Sequence, residues 1–267
     1  MATMTMTSVE APLTFYAPPI DGSVPYNIVY EVPEGEKTFN YIHDVHNVPI
    51  TDVRGHESDF KLDVNGFEFE HRKFEFSDWT DEDKIKVEYY PAVIEAIKAR
   101  TGASKVVVFD HTIRTKVGNR NPVMFVHVDQ TPKSAEDRVR LHCPEDADTL
   151  LSKRFQIINY WKPITGPVEE FPLALGDASD MKESDLVSVE HRYRDRTGAT
   201  GGVQYNPNQH YYYFSGMNTD DEVLIKCYDS VDGVAKRTPH TAFIDPTSPA
   251  NARPRESIEI RTLVFYD

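Results

Sequence analysis

The sequence predicts a mainly β fold of the sandwich or barrel type, with helices at its periphery. Short runs that alternate between apolar and polar residues, or are apolar throughout, recur along most of the 267 residues, and Pro- and Gly-containing connections separate them. A clear helical pattern covers one long stretch. Neither an internal repeat nor a low-complexity linker divides the chain, so we predict one domain over residues 13–267, behind a disordered N-terminus at residues 1–12.

Charge and composition limit the classes of partner. The formal net charge is −14, which disfavours nucleic acids and anionic membrane surfaces, because both are bound through clustered Lys and Arg. The sequence has no apolar run of the ~20 residues that span a bilayer, and no secretory signal pattern at its start. The two cysteines, Cys143 and Cys227, are expected to be buried thiols in a reducing compartment. We therefore expect a cytoplasmic protein that binds neither nucleic acid nor membrane.

An N-terminal extension over residues 13–104 is expected to carry the clearest helix. The helical pattern covers residues 80–101, where Thr80 is a suitable N-cap, acidic residues follow it, and Gly102 comes directly after the last turn. Pro91 lies inside this run, which predicts a kink or two consecutive helices. The apolar positions form one stripe, and we expect that stripe to pack on the outer face of the β structure.

A β-rich region is expected over residues 105–267. A short helix is predicted at residues 144–152, with Pro144 in its first turn. A loop around residues 118–122 leads into a strand that carries the most informative polar residues of the chain. The predicted strands, including two in the N-terminal extension, are residues 26–32, 66–71, 106–114, 123–130, 155–161, 186–191, 210–214, 222–228 and 257–265.

A histidine and an aspartate stand two apart on the strand at residues 123–130. Side chains two apart on a strand share one face, so His127 and Asp129 lie on the same side with Cα atoms ~6.5–7 Å apart. The preceding residues are apolar on both faces, which indicates a buried strand, and a buried carboxylate is costly unless it has a partner. A metal ion is one such partner. A buried His–Asp hydrogen bond, or a position at a solvated strand end, fits the local sequence equally well.

A third candidate ligand and a cationic strand follow near the end of the chain. His240 precedes Arg255 by fifteen residues, enough for one strand, a turn and the start of the next. Arg255, Ser257 and Arg261 alternate with isoleucines and therefore share a face. An inward face of this kind suits a dicarboxylate, because guanidinium binds carboxylate bidentately and serine adds a hydrogen bond. The alternative is a solvent-exposed face of surface charges.

Two histidines and one carboxylate form the facial triad of non-haem Fe(II) oxygenases. Zinc accepts the same ligands, but a hydrolytic zinc site gives no reason for the Arg-x-Ser strand. The chain also resembles, in the same order along the sequence, the AsaB-type hydroxylase/desaturase family of filamentous fungi, which includes gibberellin desaturase-like proteins and a bacterial cephamycin hydroxylation component. The segments that carry the resemblance are residues 109–114, 126–129, 154–163, 172–177, 229–230, 239–243 and 254–261.

The resemblance implies a double-stranded β-helix (jelly-roll) core and an Fe(II)/2-oxoglutarate-dependent dioxygenase. Such an enzyme hydroxylates or desaturates a small-molecule secondary metabolite through a ferryl intermediate, with O2 as co-substrate, and releases succinate and CO2. By position, the resemblance makes the iron ligands His127, Asp129 and His240. It makes Arg255 with Ser257 the partners of the distal carboxylate of 2-oxoglutarate, with Arg261 as a nearby alternative.

The resemblance also singles out Asn159 and Trp161, which we place on the inward face near 2-oxoglutarate or the substrate. A core-filling role for Trp161 is an equal alternative. His111 and Arg114 fit a structural pair better than a substrate contact. Two other functions stay open at this point: a metal-dependent jelly-roll oxygenase that does not use 2-oxoglutarate, and a non-catalytic jelly-roll binding protein.

Overall fold

Two β-sheets form the fold. The structure, a computed structural model, describes residues 5–115 and 121–267. Within those ranges the larger sheet contains, in spatial order, β1 (Ser8–Ala17), β3 (Ile42–Asp52), β11 (Tyr211–Tyr213), β8 (Leu173–Gly176), β13 (His240–Ala242), β6 (His127–Val128), β10 (Thr197–Val203), β9 (Leu186–Arg192) and β2 (Tyr26–Ile28). The smaller sheet contains β4 (Phe67–His71), β12 (Asp221–Asp229), β7 (Phe155–Pro163), β14 (Ser257–Phe265) and β5 (Lys105–Arg114).

The two sheets pack face to face as a jelly roll, and β7 shows how the sequence builds the layers. Ile157 and Trp161 point between the sheets, where they join a cluster with Leu175 of β8. Ile158 and Tyr160 point the other way, into a second apolar cluster on the outer face of the smaller sheet. A strand buried on both faces reads as apolar throughout, as β7 does in the sequence. The predicted mainly β, jelly-roll fold with peripheral helices is confirmed.

The long helical pattern forms consecutive helical pieces on that outer face. They are α1 (Glu82–Lys84), a π-helical turn (Ile85–Tyr89) and α2 (Tyr90–Thr101). Pro91 has no N–H to donate and its ring clashes with the carbonyl four residues earlier, so the turn before it widens. Gly102 ends α2 with a φ of 72°. The N-cap is Asp81, not Thr80, because the Asp81 side chain accepts from the backbone N–H groups of Asp83 and Lys84.

Two further helices follow β6. α4 (Ala147–Leu151) is shorter than the helix predicted at residues 144–152. α3 (Pro132–His142) was not predicted. It starts with a capping box, in which the backbone N–H of Ser134 donates to Thr131 Oγ1 at 3.1 Å and that of Thr131 donates to Ser134 Oγ at 2.8 Å. Pro132 occupies the first turn, where its missing N–H costs no hydrogen bond.

The N-terminal region belongs to the sheets rather than forming an extension. β1 pairs with β3 along its whole length, from Ser8 opposite Thr51 to Ala17 opposite Ile42. The prediction of disorder is therefore wrong for residues 8–12, because their backbone groups are paired and Ala11 is buried. β1, β2 and β3 lie in the larger sheet and β4 in the smaller, so a division near residue 104 does not separate core from extension.

The remaining strand predictions are largely confirmed, with β2 shorter than expected. Residues 1–4 of the predicted disordered terminus, and residues 116–120 around the predicted loop, lie outside the described ranges. That the chain is a single domain stays a prediction. Within the residues that the structure describes, every helix is too short or too polar to cross a lipid bilayer.

Candidate metal centre

Two histidines face each other across adjacent strands of the larger sheet. His127 on β6 is the direct cross-strand partner of His240 on β13, and their ring centroids are 4.3 Å apart. The same row continues to Gly202 on β10 and to Leu175 on β8. Direct cross-strand partners project from the same face of a sheet. Both imidazoles therefore point to the inner face.

The strand that carries His127 is shorter than predicted. Of residues 123–130, His127 and Val128 form the ladder, and Phe125 makes an isolated bridge to Thr14. The strand ends there because Asp129 lies in a bend and Thr131 caps the next helix. The two-residue spacing nevertheless puts Asp129 beside His127, as predicted.

The three candidate ligands converge on one point. Asp129 Oδ1 lies 3.4 Å from Nε2 of His127 and 3.7 Å from Nε2 of His240. Among the described residues, these three are the group whose donor atoms all lie within 4.8 Å of one another, as a bound metal ion requires. Both separations exceed the 2.7–3.2 Å of a normal N–H···O hydrogen bond.

The ring protons of both histidines are already placed elsewhere. Nδ1 of His127 donates to the backbone carbonyl of Phe125 at 2.8 Å, and Nδ1 of His240 donates to that of Thr238 at 3.0 Å. In its neutral form, each ring therefore turns the lone pair of Nε2 toward Asp129, the arrangement that metal-binding histidines use. This geometry favours a metal site over the buried His–Asp hydrogen bond.

The protonation states around Asp129 suit cation binding. Burial by itself would raise the pKa of Asp129, but the neighbouring side chains of His127, His240 and Arg261 hold that pKa well below its usual value. Burial and the nearby His127 lower the pKa of His240. A carboxylate that stays ionised beside an unprotonated imidazole is a ready-made pair of metal ligands.

The other oxygen of Asp129 is held by the smaller sheet. Asn159 Nδ2 donates to Asp129 Oδ2 at 2.7 Å, and Arg261 Nε lies 3.9 Å from the same oxygen. Asn159 and Arg261 are cross-strand partners on β7 and β14. Arg261 also forms an ion pair with Glu259 and donates to Asp110 at 2.9 Å. These contacts leave Oδ1 as the oxygen that faces the histidines.

A cavity of about 390 Å³ opens onto the three candidate ligands, and Arg255, Glu259 and Arg261 line it. The predicted inward orientation of this strand is therefore confirmed. Ser257, on the same strand, is buried but does not line the cavity. Trp161 lines the cavity and also packs in the inter-sheet core.

Arg255 is a buried cation that lacks an anionic partner within the described residues. Its side chain donates to the backbone carbonyl of Phe171, its guanidinium lies 5.7 Å from the ring centre of Trp161, and its Nε is buried without a hydrogen bond. Burial, followed by the charge of Arg114, lowers the pKa of Arg255 to about 10. A buried guanidinium in this state favours binding of an anion. Arg261 differs, because protein carboxylates already surround it.

The other residues considered from the sequence divide between the cavity and the fold. Arg114 lines the cavity and donates to the carbonyl of Asn121 at 2.7 Å. His111 does not line the cavity, and its Nδ1 is 2.6 Å from the hydroxyl of Tyr90. This contact fits a structural role for His111. Sequence reasoning missed His191 and Thr200, which line the cavity from β9 and β10. The pairing of β10 with β6 and of β9 with β10 identifies them, and no local motif does.

Comparisons with known proteins identify the relatives of this chain. A family model described as "Oxidoreductase/YMDC permease-like domain" matches residues 13–265. The alpha-ketoglutarate-dependent dioxygenase phiK from a fungal species is 35% identical over 97% of this chain and 96% of its own length. The Fe(II)/2-oxoglutarate-dependent dioxygenase nvfI of Aspergillus novofumigatus is 31% identical, with 96% of each chain covered.

A solved structure shows the same fold. The structure of the iron and alpha-ketoglutarate-dependent endoperoxidase NvfI superposes with a TM-score of 0.91 at 30% identity, over 97% of this chain and 98% of the other. The hydroxylase/desaturase efuI of Hormonema carpetanum is 33% identical over 82% of this chain and 83% of its own length.

Proposed function

Because the chain belongs to the family of Fe(II)/2-oxoglutarate-dependent oxygenases represented by these relatives, we propose that it hydroxylates or desaturates a small-molecule secondary metabolite. The observation that carries the proposal is the presence, in one cavity, of a His–Asp–His triad and a buried arginine that has no anionic partner in the part of the chain that the structure describes. The triad fits Fe(II) and the arginine fits a carboxylate of 2-oxoglutarate.

Each residue of the triad would supply one ligand atom to the metal. Nε2 of His127, Nε2 of His240 and Oδ1 of Asp129 would be the ligands, since each is free of a short hydrogen bond and faces the other two. Three protein ligands leave positions for 2-oxoglutarate and O2. When bound, the iron and 2-oxoglutarate supply the oxidising chemistry, in which O2 is consumed and succinate and CO2 are released.

Asn159 and Arg261 would act as positioning residues for Asp129. Their contacts to Oδ2 fix the plane of the carboxylate and support its ionised state. Partners of this kind orient metal ligands and raise metal affinity. We infer that Arg261 does not bind 2-oxoglutarate, because its guanidinium is occupied by Glu259 and Asp110.

Arg255 would hold the distal carboxylate of 2-oxoglutarate. Its buried Nε lacks a partner, and the neighbouring Trp161 ring keeps water from that side of the guanidinium. The gain from pairing a buried arginine with a carboxylate is large because the charge is already desolvated. Ser257, buried two residues further along the same face, is proposed to support Arg255.

Anaerobic titration of Fe(II) and 2-oxoglutarate tests the proposal. We expect the weak visible charge-transfer band of a chelated complex in the wild type. Arg255→Met removes the cation and keeps the apolar stem, so Fe(II) binding should persist while the 2-oxoglutarate affinity falls at least tenfold. Arg261→Met should instead weaken Fe(II) binding. A folded protein without the band would contradict the proposal.

Stoichiometric succinate formation separates this function from its alternatives. An oxygenase that does not use 2-oxoglutarate would turn over without succinate, and a binding protein would show neither metal-dependent turnover nor the band. The buried Arg255, whose Nε has no hydrogen-bond partner among the described residues, favours the 2-oxoglutarate-dependent enzyme.

We also propose that the enzyme works in the cytoplasm on a small molecule, and that neither nucleic acid nor membrane is its partner. Both cysteines are buried free thiols, as expected in a reducing compartment. The net charge of −14 makes polyanionic partners unfavourable.

A further inference from the structure

A histidine and a threonine form a hydrogen-bonded pair on the cavity wall away from Arg255. His191 on β9 and Thr200 on β10 both line the cavity, and Nε2 of His191 lies 2.8 Å from Oγ1 of Thr200. Neither residue is the cross-strand partner of a triad residue. Neither belongs to the proposed iron or 2-oxoglutarate site.

The register of the sheet separates the two ends of the cavity. Gly202, His127, His240 and Leu175 form one cross-strand row. The paired residues Ala242 and Leu173 lie two positions beyond this row on one side. Thr200 lies two positions from the row on the opposite side. Because β10 runs antiparallel to β6, the residues before Gly202 on β10 lie level with the residues after His127 on β6.

Arg255 belongs to the first of these ends. It donates to the carbonyl of Phe171, two residues before Leu173. A 2-oxoglutarate molecule that reaches from the triad to Arg255 therefore extends toward Leu173 and away from Thr200. The end of the cavity at His191 and Thr200 is then left for the second substrate.

Aromatic residues supply apolar surface next to this end of the cavity. Tyr16 is buried and lines the cavity at the row itself, because its ring packs on Gly202, where an added Cβ would lie 2.6 Å from the ring, and on Phe125. Tyr193 also lines the cavity and is 39% exposed, which places it toward the opening. Two rings beside one hydrogen-bonding pair are typical of pockets that orient an apolar ligand through a single polar group.

We propose that His191 and Thr200 are the substrate-recognition pair, which binds a hydroxyl or carbonyl oxygen of an otherwise apolar substrate that packs against Tyr16 and Tyr193. This inference rests on the proposed function in one respect, the end of the cavity that 2-oxoglutarate takes.

The chemistry of the pair suits either oxygen group. Burial and the nearby His127 lower the pKa of His191, so its imidazole is neutral, with one N–H and one lone pair. Thr200 adds a hydroxyl that donates and accepts. Whichever way the hydrogen bond between them runs, the pair presents one donor and one acceptor to a ligand. A site built this way discriminates strongly against an analogue that lacks the oxygen, because the polar groups that the ligand covers are then left unpaired.

Two small probes of similar shape test the proposal: cyclohexanol and methylcyclohexane, which carries a methyl group in place of the hydroxyl. Binding is followed anaerobically in the Fe(II)- and 2-oxoglutarate-loaded protein by perturbation of the charge-transfer band. A second readout needs no iron: the fluorescence of metal-free protein, in which Trp161 lines the cavity. The measured quantity is the ratio of the affinity for the alcohol to that for the hydrocarbon.

Thr200→Val and His191→Phe are the test variants. Each is expected to lower the affinity ratio at least tenfold by weakening cyclohexanol binding while methylcyclohexane binding is kept. Thr262→Val and His111→Phe are the controls, since these residues also make one hydrogen bond each but lie outside the cavity. They should leave the ratio unchanged, which separates recognition from a general effect on folding.

The outcomes separate this proposal from the proposed function. An unchanged ratio in both test variants, or no binding of cyclohexanol to folded wild-type protein, overturns the recognition pair. If the charge-transfer band is absent but the ratio measured by fluorescence still falls in the variants, the recognition pair stands and the proposed function fails.

Discussion

His127 and His240 stand directly opposite each other on adjacent antiparallel strands, with their ring centroids 4.3 Å apart. Each donates its Nδ1 proton to a backbone carbonyl two residues earlier, Phe125 for one and Thr238 for the other. The sheet and its backbone therefore set the direction of both Nε2 atoms without help from a bound ion. A site prepared in this way binds metal without first having to order its ligands.

Removal of one of these ligands should abolish tight iron binding. For His240→Ala we expect Fe(II) affinity to fall by more than about 100-fold, since loss of even an outer partner of a ligand costs about 10–100-fold. Anaerobic equilibrium binding of Fe(II) measures the effect. His111→Ala is the control, because this histidine bonds to Tyr90 away from the triad. Equal Fe(II) affinity in the two variants would contradict the assignment.

Loss of the Asn159 amide should weaken the site without removing a ligand. Asn159→Ala frees Oδ2 of Asp129 from its 2.7 Å hydrogen bond, so the carboxylate can rotate away from the histidines. We expect a loss of Fe(II) affinity of about 10–100-fold. Asn206→Ala is a matched control, since Asn206 donates to Asp185 at 3.0 Å outside the cavity. If both variants bind Fe(II) like the wild type, Asn159 does not position Asp129.

The convergence of the candidate metal ligands could be predicted from the sequence better than the residues that surround them. The shared face of His127 and Asp129 follows from the two-residue strand period, which holds even though the ladder there is only two residues long. The distinction between Arg255 and Arg261 could not be predicted. It depends on Asp110 and Asn159, which reach Arg261 through the pairing of β14 with β5 and β7, and such register is set by the whole sheet.

The dependence on strand register also explains why two residues of the cavity were missed. His191 and Thr200 form no local motif. They line the same cavity as the triad only because β10 pairs with both β9 and β6. The helix α3 is a different case. Its capping signal, Thr-Pro-x-Ser, is local, but its hydrophobic pattern is weak because Ala135 and Val139 are its buried positions.

A methyl group at Gly202 should disturb the aromatic wall of the cavity. In Gly202→Ala the new Cβ would lie 2.6 Å from the Tyr16 ring, which must move. Overpacking of this kind destabilises a protein by about 1–3 kcal/mol. The free energy of unfolding in urea measures the cost, and Tyr16→Ala should relieve it in the double variant.

Gly198→Ala is the control for this prediction. It lies on the same strand, but its added Cβ would be 3.7 Å from Tyr193, an ordinary contact. We expect a change in unfolding free energy well below that of Gly202→Ala. Equal costs at the two positions would show that the strand, and not the Tyr16 contact, is responsible.

The buried ion-pair cluster around Asp229 should govern stability in acid. Asp229 accepts from Arg154 at 2.7 Å, from Gln156 at 2.7 Å and from Lys226 at 2.9 Å, and both Asp229 and Lys226 are fully buried. Burial would raise the pKa of Asp229, but these three partners hold it below its usual value. Asp229→Asn leaves Lys226 buried with less compensation, so at neutral pH we expect a loss of about 3–5 kcal/mol in unfolding free energy.

The pH dependence of that loss follows from the direction of the pKa shift. A carboxylate with a depressed pKa in the folded state contributes stability above its unfolded pKa, and the contribution disappears as pH falls through the folded pKa. The difference in unfolding free energy between wild type and Asp229→Asn should therefore be full at pH 7 and shrink below about pH 4. Asp148→Asn removes a surface pair with Arg140 and should cost less than about 1 kcal/mol at either pH. A difference for Asp229→Asn that stays constant down to pH 3 would mean that Asp229 is not the acid-sensitive group, and urea unfolding at the two pH values decides it.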